Sequence, residues 1–148
     1  MRYQWKPGAR FSPKVAQVVG ERLERLRRQH GGLNIDIVLG DARDRESPLH
    51  SLIEWEDSVA AEAWRRHLAS SIITQIEVVV ESTPHPARAF VVVREDNRTH
   101  YQSLGHAMSI DDLRAQVLSR AKNEFRAVSE KYRRLQELAK VHQAIASM

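Results

Sequence analysis

Along the first third of the chain, apolar residues recur with the spacing of an amphipathic helix. Val15, Val19, Leu23 and Leu26 fall three and four apart, behind a Ser12-Pro13 start signal and ahead of a Gly31-Gly32 stop. A helix is predicted there. Upstream, residues 2–10 show no periodicity and hold a Pro-Gly turn signal, which reads as an arm. Residues 33–40 carry two patterns at once. Leu33, Ile35, Ile37 and Leu39 alternate as in a strand, whereas Asn34 ahead of Asp36 and Val38 suits a capped helix, which is preferred. Ser47-Pro48 repeats the start signal for about two turns ending near Trp55. Asp57 is expected to cap a further helix with Ala60, Ala63, Trp64, His67, Leu68 and Ile72 on one face.

After Thr74 the period changes to two. Strands are predicted over 76–81, 88–94 and 99–103, with Pro84 and Pro86 in the first connection and residues 95–98 as a turn. Short links between consecutive strands favour a three-stranded antiparallel meander. Ser109, with Asp111 and Asp112 in the first turn, opens a last helix running to about residue 144, near 50 Å if unbroken. Its seam of Leu118, Ala121, Phe125, Val128, Tyr132, Leu135, Ala139 and His142 alternates spacings of three and four over about four heptads. So long a seam exceeds what a small sheet covers. The pattern therefore predicts an α+β protein with N-terminal helices, an antiparallel meander and a long C-terminal helix. Residues 1–110 form the helical and sheet domain with its arm, and 111–148 the oligomerisation element, with Leu118, Phe125, Val128, Tyr132 and Leu135 at the interface.

Composition narrows the class. The 148 residues include 42% hydrophobic and 28% charged positions, ordinary globular usage. There is no run long enough to span a membrane and no secretory signal. The absence of cysteine removes disulfides and thiolate chemistry. A soluble protein in the cytoplasm is expected. The net charge of +4 hides an asymmetry: residues 1–30 sum to +6, 31–81 to −6, 82–110 to +1 and 111–148 to +3. Separated blocks of opposite sign serve polyanion binding at the ends or pairing between subunits.

Catalytic signatures are missing. His50 and Glu54 stand one helical turn apart near Asp57, but zinc needs three convergent ligands and no HExxH pattern exists, so they read as a local pair and a cap. No nucleophile elbow, P-loop or dinucleotide fingerprint occurs. No metal, cofactor or enzymatic activity is expected. The basic N-terminus says more. Tyr3 and Trp5 interleave with Arg2, Lys6 and Arg10, beside Arg22, Arg25 and Arg28 on the first helix. Such a set suits phosphate neutralisation with base stacking. In the alternative, Trp5 and Phe11 fold back onto the core and the arginines are solvated charge.

The run SPLHSLIEWEDSVAAEAWRR, with GARFSPKVAQVVGERLERL before it and KYRRLQELAKV after, resembles small uncharacterised phage and prophage proteins carrying SPLH-x-x-x-EW-x-D-x-x-AA. The resemblance implies mobile-element biology inside a bacterial host, and brings no catalytic residues with it. The expected function is a non-enzymatic nucleic-acid-binding accessory protein of little sequence preference, DNA ahead of RNA, acting as a homo-oligomer. The competing expectation is an assembly module that self-associates or docks a host protein.

Overall fold

The computed structural model describes residues 1–56 and 59–148. Proline at position 13 opens a 3-10 turn, Pro13–Val15, which runs into helix α1 (Ala16–His30). Gly31 ends the helix in the left-handed conformation (φ 70°), its N–H on the Arg27 carbonyl, a role glycine fills without steric cost. Next comes α2 (Ile35–Ala42), where the Asn34 side chain accepts the Ile37 N–H at 2.8 Å. The cap decides the doubly patterned segment for helix, while Leu33 just before it still makes one antiparallel bridge to Tyr101.

Ser47-Pro48 starts less than expected. One 3-10 turn, His50–Leu52, replaces the two helical turns, because Ser47 accepts the Leu49 N–H and donates to Asp41, holding a tight local turn. Helix α3 (Val59–Gln75) follows; Asp57, the expected cap, lies outside the described residues. Its buried face carries Arg65, Ala69, Ile72 and Ile73. Trp64 and His67, expected on that face, instead stack on each other at the surface, ring centroids 5.2 Å apart.

The strands form two antiparallel sheets. One has the order β1 (Arg2–Trp5), β2 (Ile76–Val80), β3 (Thr83–Arg88); the other pairs β4 (Phe90–Glu95) with β5 (Arg98–Ser103). An antiparallel sheet of three strands is present, but its members differ from the meander expected. The arm is itself a strand, with Tyr3 paired to Val78 and Trp5 to Ile76. The proline-containing connection is β3, an edge strand, where a missing N–H is tolerated. Ala89 joins the sheets, donating to Ile76 and accepting from Leu104.

Tyr3, Val19, Leu23, Leu33, Leu49, Ile72 and Ile76 belong to the main core, and a smaller one gathers Val93, Ala107 and Leu113. Gly20 is required where α1 crosses β1: a Cβ there would fall on the Tyr3 ring. After β5 a short helix α4 (Leu104–Ser109), absent from the pattern reading, precedes α5 (Asp111–Lys131). Ser109 does not cap α5; its hydroxyl donates back to the His106 carbonyl, and Ile110 holds the cap position.

The long C-terminal helix is α5, shorter than the unbroken rod expected. Tyr132 leaves the helical conformation, residues 136–138 make a 3-10 turn, and α6 (Ala139–Ala146) packs back on α5. No proline or glycine marks this break in the sequence. At the break His142 donates its Nε2–H to the Tyr132 carbonyl at 3.1 Å, and the same carbonyl accepts the Leu135 N–H at 3.0 Å, so two donors hold the turn. That carbonyl can only accept, so in the neutral ring Nδ1 accepts the Ser129 hydroxyl at 2.7 Å.

Candidate functional site

One predicted set stays exposed, and the other comes apart. On the C-terminal hairpin the expected interface residues are all exposed: Leu118 by 44%, Phe125 by 56%, Val128 by 55%, Tyr132 by 44% and Leu135 by 46%. Leu138 in the 3-10 turn and Val141 on α6 are exposed as well. Only the first part of α5 belongs to the body, so its attachment crosses the boundary expected at residue 110. Leu113 is buried against Val93 and Ala107. Gln116 pairs its side-chain amide with both the N–H and the carbonyl of Arg94, and Arg120 donates to the Val92 carbonyl. These side chains complete the open edge of β4 much as another strand would.

The N-terminal set divides. Tyr3 and Trp5 are core residues, and Trp5 donates its indole N–H to the Ser12 carbonyl and packs on Phe11 at 4.7 Å. Neither ring presents a face to a nucleic-acid base. The alternating Arg2-Tyr3-Gln4-Trp5 pattern was the available signal, four residues long and flanked by charge. Burial raises the Tyr3 phenol above its ordinary range, with Glu24 adding to it. Lys6 is half-buried; burial first, and Arg88 second, lower its ammonium.

Arg22 is committed elsewhere. It forms a fork on Asp41, at 2.6 Å from NH2 and 3.0 Å from Nε, and this hydrogen bonding raises the guanidinium further. Burial alone would raise the Asp41 carboxyl, but hydrogen bonds from Arg22 and Ser47 outweigh it and hold it below the usual range. Arg28 contributes its Nε to Glu24 at 3.2 Å and leaves most of its side chain in solvent. Arg2, Arg10 and Arg25 are exposed.

His50 and Glu54 do not pair. The His50 Nδ1 donates to the Ala42 carbonyl at 2.7 Å and its ring stacks on Trp55, while the Glu54 carbonyl accepts from Arg65. Trp55 is half-buried beneath the guanidiniums of Arg65 and Arg43, at 5.4 and 5.7 Å. Arg65 also reaches the Glu56 carbonyl, tying the entry of α3 to the turn before it. This is a structural clamp. Among the described residues, no group of three or more histidine or acidic side chains is placed to hold a metal.

A polar network that pattern reading missed links α1 to the β4–β5 hairpin. Glu24, buried on α1, accepts from Nε and NH2 of Arg27 at 2.9 and 2.8 Å. Arg27 reaches Gln102 Oε1 at 3.3 Å. Gln102 Nε2 donates to the Gly31 carbonyl and to Glu95, which also meets His100 Nε2 at 3.1 Å. Burial would raise the Glu24 carboxyl, but the Arg27 and Arg28 hydrogen bonds and charges prevail and lower it. Glu95 is lowered chiefly by Gln102, then by His100. The sequence signal was a glutamate between Leu23 and Leu26 of the apolar stripe, with arginines three and four residues on.

Among the described residues no helix is long and apolar enough to cross a membrane. In comparisons with known proteins, no family model, no curated protein and no solved structure matches the chain.

Proposed function

We propose that this protein is a binding and assembly module that self-associates through its C-terminal hairpin, with a second copy of the chain as the partner. The observation that carries the reading is the exposure of Leu118, Phe125, Val128, Tyr132 and Leu135, each by more than two-fifths, in a segment where no residue after Leu113 is buried. Leu118, Phe125 and Tyr132 repeat at intervals of seven, as do Ala121, Val128 and Leu135. Of these, Leu118, Phe125 and Val128 lie on α5 itself, where a seven-residue repeat is met by another helix of the same repeat, and Tyr132 and Leu135 lie in the turn that follows. Burial of this surface contributes roughly 25 cal/mol for each Å² of apolar area removed from water. Blocks of opposite net charge within one chain favour two copies over repulsion. Light scattering tests the reading. The wild type is expected as a dimer or larger assembly, and a Phe125→Asp, Leu135→Asp double variant as a 17.0 kDa monomer. A wild type that stays at 17.0 kDa at high concentration rejects it.

A second reading, nucleic-acid binding with little sequence preference, keeps one specific support. Arg2, Arg10 and Arg25 are exposed, and among the described residues none has a side-chain partner. Such contacts would be to phosphates alone, without stacking. Binding to random duplex should then fall steeply with salt, with a slope reduced in Arg2→Gln, Arg10→Gln, Arg25→Gln.

A further inference from the structure

A cleft of about 380 Å³ lies where the last turn of α1, the β4–β5 turn and α4 meet. Its wall is fixed by the network already described. Gln102, 2% exposed, is held on both sides of its amide, and Arg27 keeps three of its nitrogens on Glu24 and Gln102. Glu95 is likewise committed, to Gln102 and His100. The turn that closes the cleft has two residues, Asp96 (φ 48°) and Asn97 (φ 63°), both left-handed. This is the tight hairpin geometry that asparagine and aspartate tolerate.

Against this rigid wall stand donors with nothing to bind. The terminal nitrogens of Arg28, and the side chains of Arg98, His30 and His106, line the cleft and have no hydrogen-bond or ion-pair partner among the described residues. Arg28 and His30 belong to the last turn of α1, where cations compensate the negative end of the helix dipole. That explanation does not extend to Arg98, which begins β5, or to His106, which comes from α4. Three separate elements deliver donors to one concavity.

We propose that this cleft binds a phosphate-type oxyanion, held by Arg28 and Arg98 with His30 and His106 beside them. Guanidinium forks match the oxygens of a phosphate in pairs. A tetrahedral group offers acceptors in several directions, as donors arriving from three elements require, whereas a carboxylate offers two oxygens in one plane. The cleft has room for a small phosphate ester. Asp96 is the carboxylate on its wall without a partner among the described residues, and it opposes the anion. The same chemistry is presented by a mononucleotide and by a nucleic-acid backbone. Nothing in residues 111–148 takes part, so this site stands or falls apart from self-association.

Titration calorimetry with inorganic phosphate, with AMP and with a random single-stranded oligonucleotide tests the proposal on the full chain. Saturable binding of at least one probe is expected, weakening as salt rises. Arg28→Gln, Arg98→Gln should lose at least about tenfold in affinity, the scale of charged hydrogen bonds. Both side chains are exposed, so circular dichroism should show an unchanged fold. Asp96→Asn keeps a residue suited to the left-handed turn and should tighten binding several-fold. Binding of AMP and phosphate assigns a small ligand; binding of the oligonucleotide alone, lost in the arginine double variant, assigns a backbone phosphate. No saturable binding of any probe, or equal binding by wild type and the double variant, overturns the proposal.

Discussion

Helix α1 and the later part of α5 carry nearly the same pattern, apolar residues three and four apart, and the fold treats them oppositely. Val19 and Leu23 of α1 are completely buried, whereas Phe125 and Val128 of α5 are more than half exposed. The difference lies in what stands opposite. Helix α1 faces Tyr3 of β1, the sheet behind it and α2. Beyond Ala121, α5 meets chiefly α6, an eight-residue helix too short to hold itself or to cover its neighbour. After Leu113 no residue of the chain is buried. Periodicity thus says which face of a helix will be covered, and leaves open whether the cover belongs to the same chain.

The sharpest test of this contrast is truncation of one side chain in each helix. Leu23→Ala should cost about 2–5 kcal/mol in denaturant unfolding, the range for a filled core position. Phe125→Ala, measured at a concentration where the chain is monomeric, should fall within about 0.5 kcal/mol of wild type, as exposed substitutions do. Similar losses at both sites would break the comparison.

A second test adds volume. Gly20→Ala places a methyl group where the Tyr3 ring lies, so β1 must shift or the helix must tilt. The expected loss is about 1–3 kcal/mol, the usual cost of overpacking. Gly40, whose added Cβ meets nothing within 4 Å, is the control. Gly40→Ala should be neutral or slightly stabilising, since alanine is the better helix former.

Acid should act on the body before the hairpin. The folded-state carboxyls of Asp41 and Glu24 lie below their ordinary values, through the hydrogen bonds from Arg22 and Ser47 in one case and Arg27 and Arg28 in the other. Their stabilisation is complete above the unfolded carboxylate range, about pH 4–4.5, and is lost as pH falls through the lower folded values. Asp41→Asn should remove about 1–3 kcal/mol at neutral pH. It should also flatten the acid limb of the stability curve, read from melts between pH 2 and pH 7. A variant with an unchanged acid limb would show that the Arg22–Asp41 fork contributes nothing.

Legibility followed the same division. Where a local signal decided the structure, the sequence was sufficient: Gly31 stopping α1, Asn34 capping α2, and the strands read over 88–94 and 99–103, found as the hairpin of 90–95 and 98–103. Strand β1 was hidden because four residues give little periodicity, and its reason for being a strand is β2, more than 70 positions away. Glu24 and Gln102 are polar residues that only their partners make suitable for burial; those of Glu24 stand one turn on along α1, but those of Gln102 come from α1, Gly31 and Glu95, the first two far away in the sequence. At the break the Tyr132 carbonyl meets a histidine ten residues later, a pairing no local pattern announces. Of the candidate sites, the exposed apolar residues of α5 were visible in the sequence, whereas the end of that helix at Lys131, which takes Tyr132, Leu135, Ala139 and His142 off the expected seam, was not. The cleft was not, since Arg28, Arg98 and His106 converge only after the chain has folded.

The smallest effect concerns the bend that turns α6 back on α5. The Ser129 hydroxyl and the Tyr132 carbonyl hold the two nitrogens of His142, and this triangle is the main polar tie of the hairpin. Ser129→Ala deletes one bond in a partly exposed place and should cost less than about 1 kcal/mol. Its effect should be local. Amide exchange in 139–146 should accelerate, while amides of α1 and β2 keep their protection, because the body does not depend on where α6 lies. Raising the concentration should then restore protection to α5 and α6 if a second copy covers them, as it would not for a hairpin stabilised only by its own contacts. A Ser129→Ala variant whose α1 amides exchange faster in step with those of α6 would join the two regions into one cooperative unit, and the contrast drawn between them would fail.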